Sequence, residues 1–181
     1  MRFVKTSIDG LIIVEPKVFE DSRGYFFESF NQKSFADAGL NYTFVQDNQS
    51  MSVRGTIRGL HFQKGEHCQA KLVRVLQGTV LDVAVDIRRH SPTYGQYEAF
   101  ELSAENRKQL LIPHGFAHGF SVLSDVAVFT YKCDNLYCPE SEGGIRFDDP
   151  DLAIDWRVTS PITSDKDKRL PFFAEFETCF S

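Results

Sequence analysis

Two residues with chemical potential lie close together in the stretch RGTIRGLHFQKGEHCQAKLVRVLQG, residues 54–78: His61, just after a glycine turn, and Lys71, at the head of the strand-like run KLVRVL. In an extended strand Lys71, Val73 and Val75 share parity and point to one face. The valines want a core, where a lysine is out of place without a partner. Lys71 alone could as well sit at the strand end and reach solvent. A second stretch, LLIPHGFAHGFSVLSDVAVFTY (111–132), supplies His118 and Tyr131 in similar settings. Histidine, with an unperturbed pKa near ~6.5, serves as a base at neutral pH, and tyrosine, near ~10, stays protonated and serves as an acid. A lysine and a polarised histidine stabilise negative charge on an oxygen. Base, acid and oxyanion stabiliser together describe proton removal beside a carbonyl followed by reprotonation. If base and acid face opposite sides of the carbon, the stereocentre inverts.

The elements that must position these groups read as β. Strand-like runs occur at 11–19 (with Pro16 as an edge or bend), 25–30, 44–53, 56–63, 97–103, 109–113, 119–123 and 126–133. Residues 71–88 read as a hairpin turned near Gln77-Gly78, its second arm alternating Leu81, Val83, Val85 and Ile87 against Asp82, Ala84 and Asp86. Asp21-Ser22-Arg23-Gly24 reads as a turn, and Asn31 caps a short helix ended by Gly39. Residues after 133 read as ordered loop, with a tail that ends in a loop and a short helix. Short strands at spacings of about 8 to 12 residues predict an all-β sandwich or barrel, closest to a jelly roll with few short helices, whose mouth is the default site.

Composition is that of an ordinary globular chain: 181 residues, 42% hydrophobic and 25% charged, read as one domain over 1–181. A net charge of -5 without a basic stripe argues against nucleic acid. No apolar run approaches a membrane span of roughly 20 residues, and the N-terminus lacks a signal-peptide core. Cys68, Cys133, Cys138 and Cys179 show neither a CxxC pair nor zinc spacing and read as free thiols in a reducing cytoplasm. The 17 phenylalanines beside alternating Val/Leu runs suggest a β-rich core, with room for an aromatic-lined pocket.

The two central stretches resemble the paired motifs of the cupin family. Gly55 and His61 fit the first motif, but Gln63 stands where a second metal histidine belongs, and Lys71 where the glutamate belongs. Pro113, Gly115 and His118 fit the second motif, with Val122 replacing its asparagine. A charged lysine cannot ligate a cation, so no metal and no cofactor is expected.

Over nearly its whole length the chain resembles the dTDP-4-dehydrorhamnose 3,5-epimerases, through DSRGYFFESF, FVQDNQSMSVRGTIRGLHFQ, KLVRVLQGTVLDVAVDIRRHSPTYG, IPHGFAHGF, DDPDLAIDW and SDKD. The resemblance implies a metal-independent epimerase inverting C3 and C5 of dTDP-4-dehydro-6-deoxyglucose, cytoplasmic and homodimeric. It implies His61 as base, Asp167 as the carboxylate orienting it, Tyr131 as acid, and Lys71 at the C4 keto oxygen with His118 nearby. Arg23, Glu28, Gln46, Asn48, Arg58, Glu142 and Lys166 match nucleotide-sugar-binding positions. Arginine suits a diphosphate because its guanidinium forms paired, charge-assisted bonds.

Each residue alone has a plainer reading. His61 and His118 could be structural, Tyr131 a barrel tyrosine with its hydroxyl at the rim, Asp167 part of a solvated SDKDKR face, and Arg23 with Glu28 a surface pair. His67, His90 and His114 are left structural. Three rival functions stand beside the double epimerase: a metal-dependent cupin enzyme, a non-catalytic sugar-binding cupin, and an epimerase acting at C3 or C5 alone on a related 4-keto sugar.

Overall fold

The structure, a computed structural model, describes residues 1–180. Thirteen strands carry the fold: β1 (Arg2–Lys5), β2 (Ile12–Glu15), β3 (Val18–Asp21), β4 (Gly24–Phe27), β5 (Gln46–Val53), β6 (Ile57–Gln63), β7 (Lys71–Gln77), β8 (Thr79–Asp86), β9 (Tyr97–Ser103), β10 (Gln109–Ile112), β11 (Phe116–Val122), β12 (Val126–Cys133) and β13 (Glu142–Gly144). The one α-helix among the described residues, α1 (Gln32–Asp37), starts where the Asn31 side chain accepts from the Ser34 N–H. Six strands form one antiparallel sheet in the order β1-β2-β10-β7-β12-β5, and five form the second, β13-β6-β11-β8-β9. The result is the cupin-like jelly roll. No helix among the described residues is long and apolar enough to cross a membrane.

The β7–β8 segment is not a hairpin. β7 pairs with β10 and β12 in the first sheet, while β8 pairs with β9 and β11 in the second. The chain changes sheets at Gly78, whose φ of +77° and close approach to the Val126 carbonyl leave no room for a side chain. Residues 119–123 are likewise only part of a longer strand, since β11 begins at Phe116. The tail helix is two single 3₁₀ turns, Asp167–Arg169 and Phe173–Glu175.

Three apolar layers result. Between the sheets, Val73, Val75, Ala127 and Phe129 pack against Val80, Ala84, Phe116, Phe120 and Val122. Outside the first sheet, Ile12, Val14, Leu72 and Leu111 bury Phe35 of α1. Outside the second, Leu81, Val83, Val85 and Ala117 are covered by Ile145, Leu152, Trp156 and Phe173. β8 is therefore buried on both faces. Its continuous apolar parity faces the C-terminal segment, and its polar parity, including Asp82, faces the space between the sheets.

Candidate active site

Both sheets turn chemistry toward one cavity of about 730 Å³, whose lining includes His61, Lys71, His118, Tyr131, Arg58 and Asp167. Lys71 and Tyr131 come from the first sheet. Tyr131 is the register partner of Val73 on one side and Asn48 on the other, and Lys71 is that of Cys133. By parity Lys71, Tyr131, Asn48 and Cys133 share the inner face with Val73. His61 and His118 come from the second sheet, as direct partners across β6 and β11. That pairing is close because both strands carry glycine beside the histidines. A Cβ on Gly59 would lie 2.5 Å from the Gly119 Cα, and one on Gly119 would lie 2.7 Å from the Arg58 carbonyl oxygen.

Each histidine is held by a buried carboxylate. His61 Nε2 is 2.7 Å from Oδ1 of Asp167, brought there by a tail that runs beside β6 through the Thr56–Ile162 bridge. The Asp167 N–H donates to the Ser164 hydroxyl at 3.0 Å, and the Gly59 N–H and that hydroxyl lie near enough to the carboxylate to favour its charge. Burial pushes its pKa up, but the His61 bond and charge and these further donors outweigh burial and hold it below the usual carboxylate range. A carboxylate only accepts, so His61 Nε2 carries a proton and Nδ1 holds the lone pair. His118 Nε2 lies 2.9 and 3.1 Å from the two oxygens of Asp82, which is fully buried.

On the other wall, burial drops the Lys71 ammonium below the lysine range, opposed by Cys133, Asp82 and Glu142. Burial raises the Tyr131 phenol above the tyrosine range, with Cys133 and Glu142 adding to the rise and Arg58 opposing it. Burial likewise pushes the Cys133 thiol up to about 11. All four cysteines are free.

A second lobe of about 310 Å³ adjoins the first and shares Asn48, His61, Lys71 and Tyr131 with it. Gln46, Tyr137 and Glu142 also line it. Glu142 receives Lys166 Nζ at 2.6 Å and the Tyr137 hydroxyl at 2.6 Å. Gln63 spends its side-chain oxygen on the Cys138 N–H, at 2.9 Å, and Gln46 spends its own on the Tyr137 N–H, at 3.0 Å. The two glutamines thereby fix the loop that carries Tyr137.

The cavity thus gathers His61, Lys71, His118, Tyr131, Asp167, Asn48, Arg58 and Lys166, and the adjoining lobe adds Gln46 and Glu142. Arg23 and Glu28 are not among them. Arg23 stands at the tip of the β3–β4 hairpin, 87% exposed and bound to Asp21, and Glu28 accepts from Asn31. Asp82 and Tyr137 belong to the site but were passed over in the sequence, Asp82 as one member of an alternating strand and Tyr137 as part of a loop. A carboxylate flanked on both sides by apolar residues, Leu81 and Val83, is the available signal for Asp82. His114, read as structural, binds Asp134 at 2.8 Å.

A model of the dTDP-4-dehydrorhamnose 3,5-epimerase family matches residues 5–175. The chain is similar to a dTDP-4-dehydrorhamnose 3,5-epimerase of Methanothermobacter thermautotrophicus, 56% identical over 170 residues that cover 92% of this chain and 91% of that one. Among solved structures, that of a dTDP-4-dehydrorhamnose 3,5-epimerase from Elizabethkingia anophelis superposes with a TM-score of 0.93 at 55% identity, covering 97% of both chains. A dTDP-6-deoxy-D-glucose-3,5-epimerase from Legionella pneumophila, in complex with dTDP-4-keto-L-rhamnose, does so with a TM-score of 0.93 at 49% identity, covering 97% of this chain and 94% of that one.

Proposed function

Because this chain belongs to the dTDP-4-dehydrorhamnose 3,5-epimerase family, we propose that it converts dTDP-4-dehydro-6-deoxyglucose to dTDP-4-dehydro-L-rhamnose by acid–base proton transfer at C3 and C5. The observation that carries this reading is the placement of His61 and Tyr131 on opposing sheets around one cavity. A sugar ring between them meets a base on one face and an acid on the other.

The steps follow from the donors and lone pairs present. His61 Nδ1 takes the proton from the carbon beside the C4 carbonyl. The C–H electron pair moves into the ring and negative charge gathers on the C4 oxygen. Lys71 and His118 flank that oxygen and stabilise it, as preformed donors do in a site with little water. Tyr131 then gives its proton to the opposite face of the carbon, and the carbonyl re-forms. The raised phenol supports this role, since Tyr131 enters the reaction protonated. Asp167 holds His61 in the required tautomer and steadies the imidazolium that forms. His61 then releases its proton to solvent and Tyr131 recovers one from it, and the same sequence at the second carbon completes the double inversion. Arg58, Lys166, Asn48, Gln46 and Glu142 bind the nucleotide portion.

The cupin metal set does not fit these residues, which supports a metal-independent reaction. Gln63 is committed to the Cys138 N–H, and Nε2 of each histidine is committed to a carboxylate. The remaining position holds a lysine.

Arg23 and Glu28 reach a site only if a second copy supplies them, so we read the active form as a homodimer in which the β3–β4 arm crosses over. The arm exposes Phe19, Tyr25 and Phe26 at 54%, 57% and 70%, an apolar surface suited to such an interface. The same reading takes residues 1–181 as one catalytic domain of a cytoplasmic enzyme. The test is NMR of dTDP-4-dehydro-6-deoxyglucose in deuterated water with this protein. Deuterium and inversion at both C3 and C5 support the proposal, and change at one carbon alone supports a single-site epimerase instead.

A further inference from the structure

The second histidine–carboxylate pair is built like the first but has a different setting. Asp82 lies on the inner face of β8 between Val80 and Ala84, both fully buried, and is itself at 0% exposure. Phe120 is its register partner on β11 and Phe100 on β9. Ionised groups do not sit among aliphatic and aromatic side chains without a specific partner, because the desolvation cost is several kcal/mol. His118 Nε2 is that partner, with both carboxylate oxygens in reach. The imidazole is also wedged: Phe129 stacks alongside at 6.2 Å between ring centroids. His118 keeps only 8% of its side chain exposed, and it lines the cavity.

We propose that Asp82 is a positioning residue for the epimerisation: its buried charge accepts from His118 Nε2 and holds the ring as the imidazolium, whose Nδ1–H is then the donor that meets the sugar oxygen beside Lys71. The inference rests on the acid–base reading above and deepens it at the oxyanion side. A carboxylate can only accept, so Nε2 carries a proton, and a second proton on Nδ1 gives the buried carboxylate its countercharge and the oxyanion its donor. Asp82 also serves the other half of the oxyanion site. Its negative charge is among those opposing the desolvation of the Lys71 ammonium. One buried anion thus supports both groups that face the C4 oxygen, one by a direct bond and one through its field. Asp167 performs the corresponding task on the base, so the two neighbouring histidines are each held at Nε2 and each present Nδ1.

The experiment is ¹⁵N NMR of the histidine side chains, with steady-state kinetics, in wild type and Asp82→Asn. The carboxamide can accept through Oδ1 or donate through Nδ2, so the substitution keeps the shape and removes the constraint. The expected wild-type signal is His118 protonated at both ring nitrogens. In Asp82→Asn a neutral ring with mixed tautomers is expected, with kcat lowered ~10–100-fold and KM changed by less than about threefold. A bare ring nitrogen on His118 in the wild type overturns the proposal, as does wild-type kcat in the variant. The wild-type spectrum decides even if Asp82→Asn fails to fold. Deuterium uptake by the sugar with His61→Ala in deuterated water keeps the two readings apart. Uptake that survives there overturns the role of His61 as base and leaves the His118 result standing on its own.

Discussion

Nε2 of His61 lies 2.7 Å from Oδ1 of Asp167, a residue 106 positions downstream that the folded tail carries beneath β6. The contact decides which nitrogen faces the cavity. Asp167 is 5% exposed in its side chain and His61 31%, so the pair runs from the protein interior to the cavity wall.

Removing the base and removing its support should therefore differ in degree. His61→Ala is expected to lose ~10²–10⁴ in turnover, the usual worth of a positioned general base. Asp167→Asn retains the imidazole and is expected to lose less. Steady-state kcat of both variants, with circular dichroism as a folding control, checks the order. Wild-type activity in Asp167→Asn would remove the dyad from the account.

Lys71→Met is expected to slow the chemical step more than it weakens nucleotide-sugar binding. Charge on the C4 oxygen exists fully only in the enolate, so an ammonium there acts mainly on the transition state. A loss of ~10²–10³ in single-turnover rate with a small change in Kd is the expected pattern. A weakened Kd with an unchanged chemical rate would assign Lys71 to binding.

The strand that carries Asp82 ends in a pH-sensitive clamp. Asp86 accepts from Arg88, Ser91 and Thr93, which fixes the loop after β8. Burial opposes ionisation, but these bonds lower its pKa from 3.8 to about 2. The folded value lies below the unfolded one, so the stabilisation is complete above the unfolded pKa and is lost as pH falls through the folded one. Its size is about 2 kcal/mol. Asp86→Asn is expected to lower Tm by ~4–8 °C at pH 7, with the gap closing between pH 4 and 2. A gap that stays constant down to pH 2 would contradict the assignment.

If the β3–β4 arm serves a second copy, Arg23→Ala and His61→Ala damage different parts of each site. Mixed dimers then contain one intact site. Co-refolded variants are expected to regain roughly a quarter of wild-type activity, since about half of randomly paired dimers are mixed and each has one good site of two. No recovery, with mixed dimers confirmed by native mass spectrometry, would place Arg23 outside the partner's site.

Much of this architecture is legible in the chain. Period-2 alternation located β5, β6 and β12 to within a residue or two, and the parity of Lys71 with Val73 placed the lysine on the inner face. The Gln77-Gly78 turn was legible as a turn but not as a change of sheet. A glycine at positive φ serves both, and the choice depends on β10 and β11, strands far along the sequence. Asp82 was hidden by the same alternation that revealed its strand. Polar parity reads as a solvated face, but here it looks inward on the first sheet, because residues 145–173 cover the apolar parity from outside. Asp167 sits in a charged run, where nothing local separates it from Asp165, and only the family resemblance singled it out. For Arg23 and Glu28 the resemblance names positions that the structure leaves outside the cavity.

The central claim is that base and acid act from opposite walls, and Tyr131→Phe tests it most directly. The phenyl ring preserves packing against Phe129 but has no proton to give. His61 can still form the enolate and can only return a proton to the face it came from. In deuterated water the variant is expected to place deuterium at C3 and C5 of the sugar while both centres keep their starting configuration. Deuterium content by mass spectrometry and stereochemistry by NMR give the two readings on one sample. Inversion at the wild-type rate would contradict the account, because some other group would then be supplying the proton.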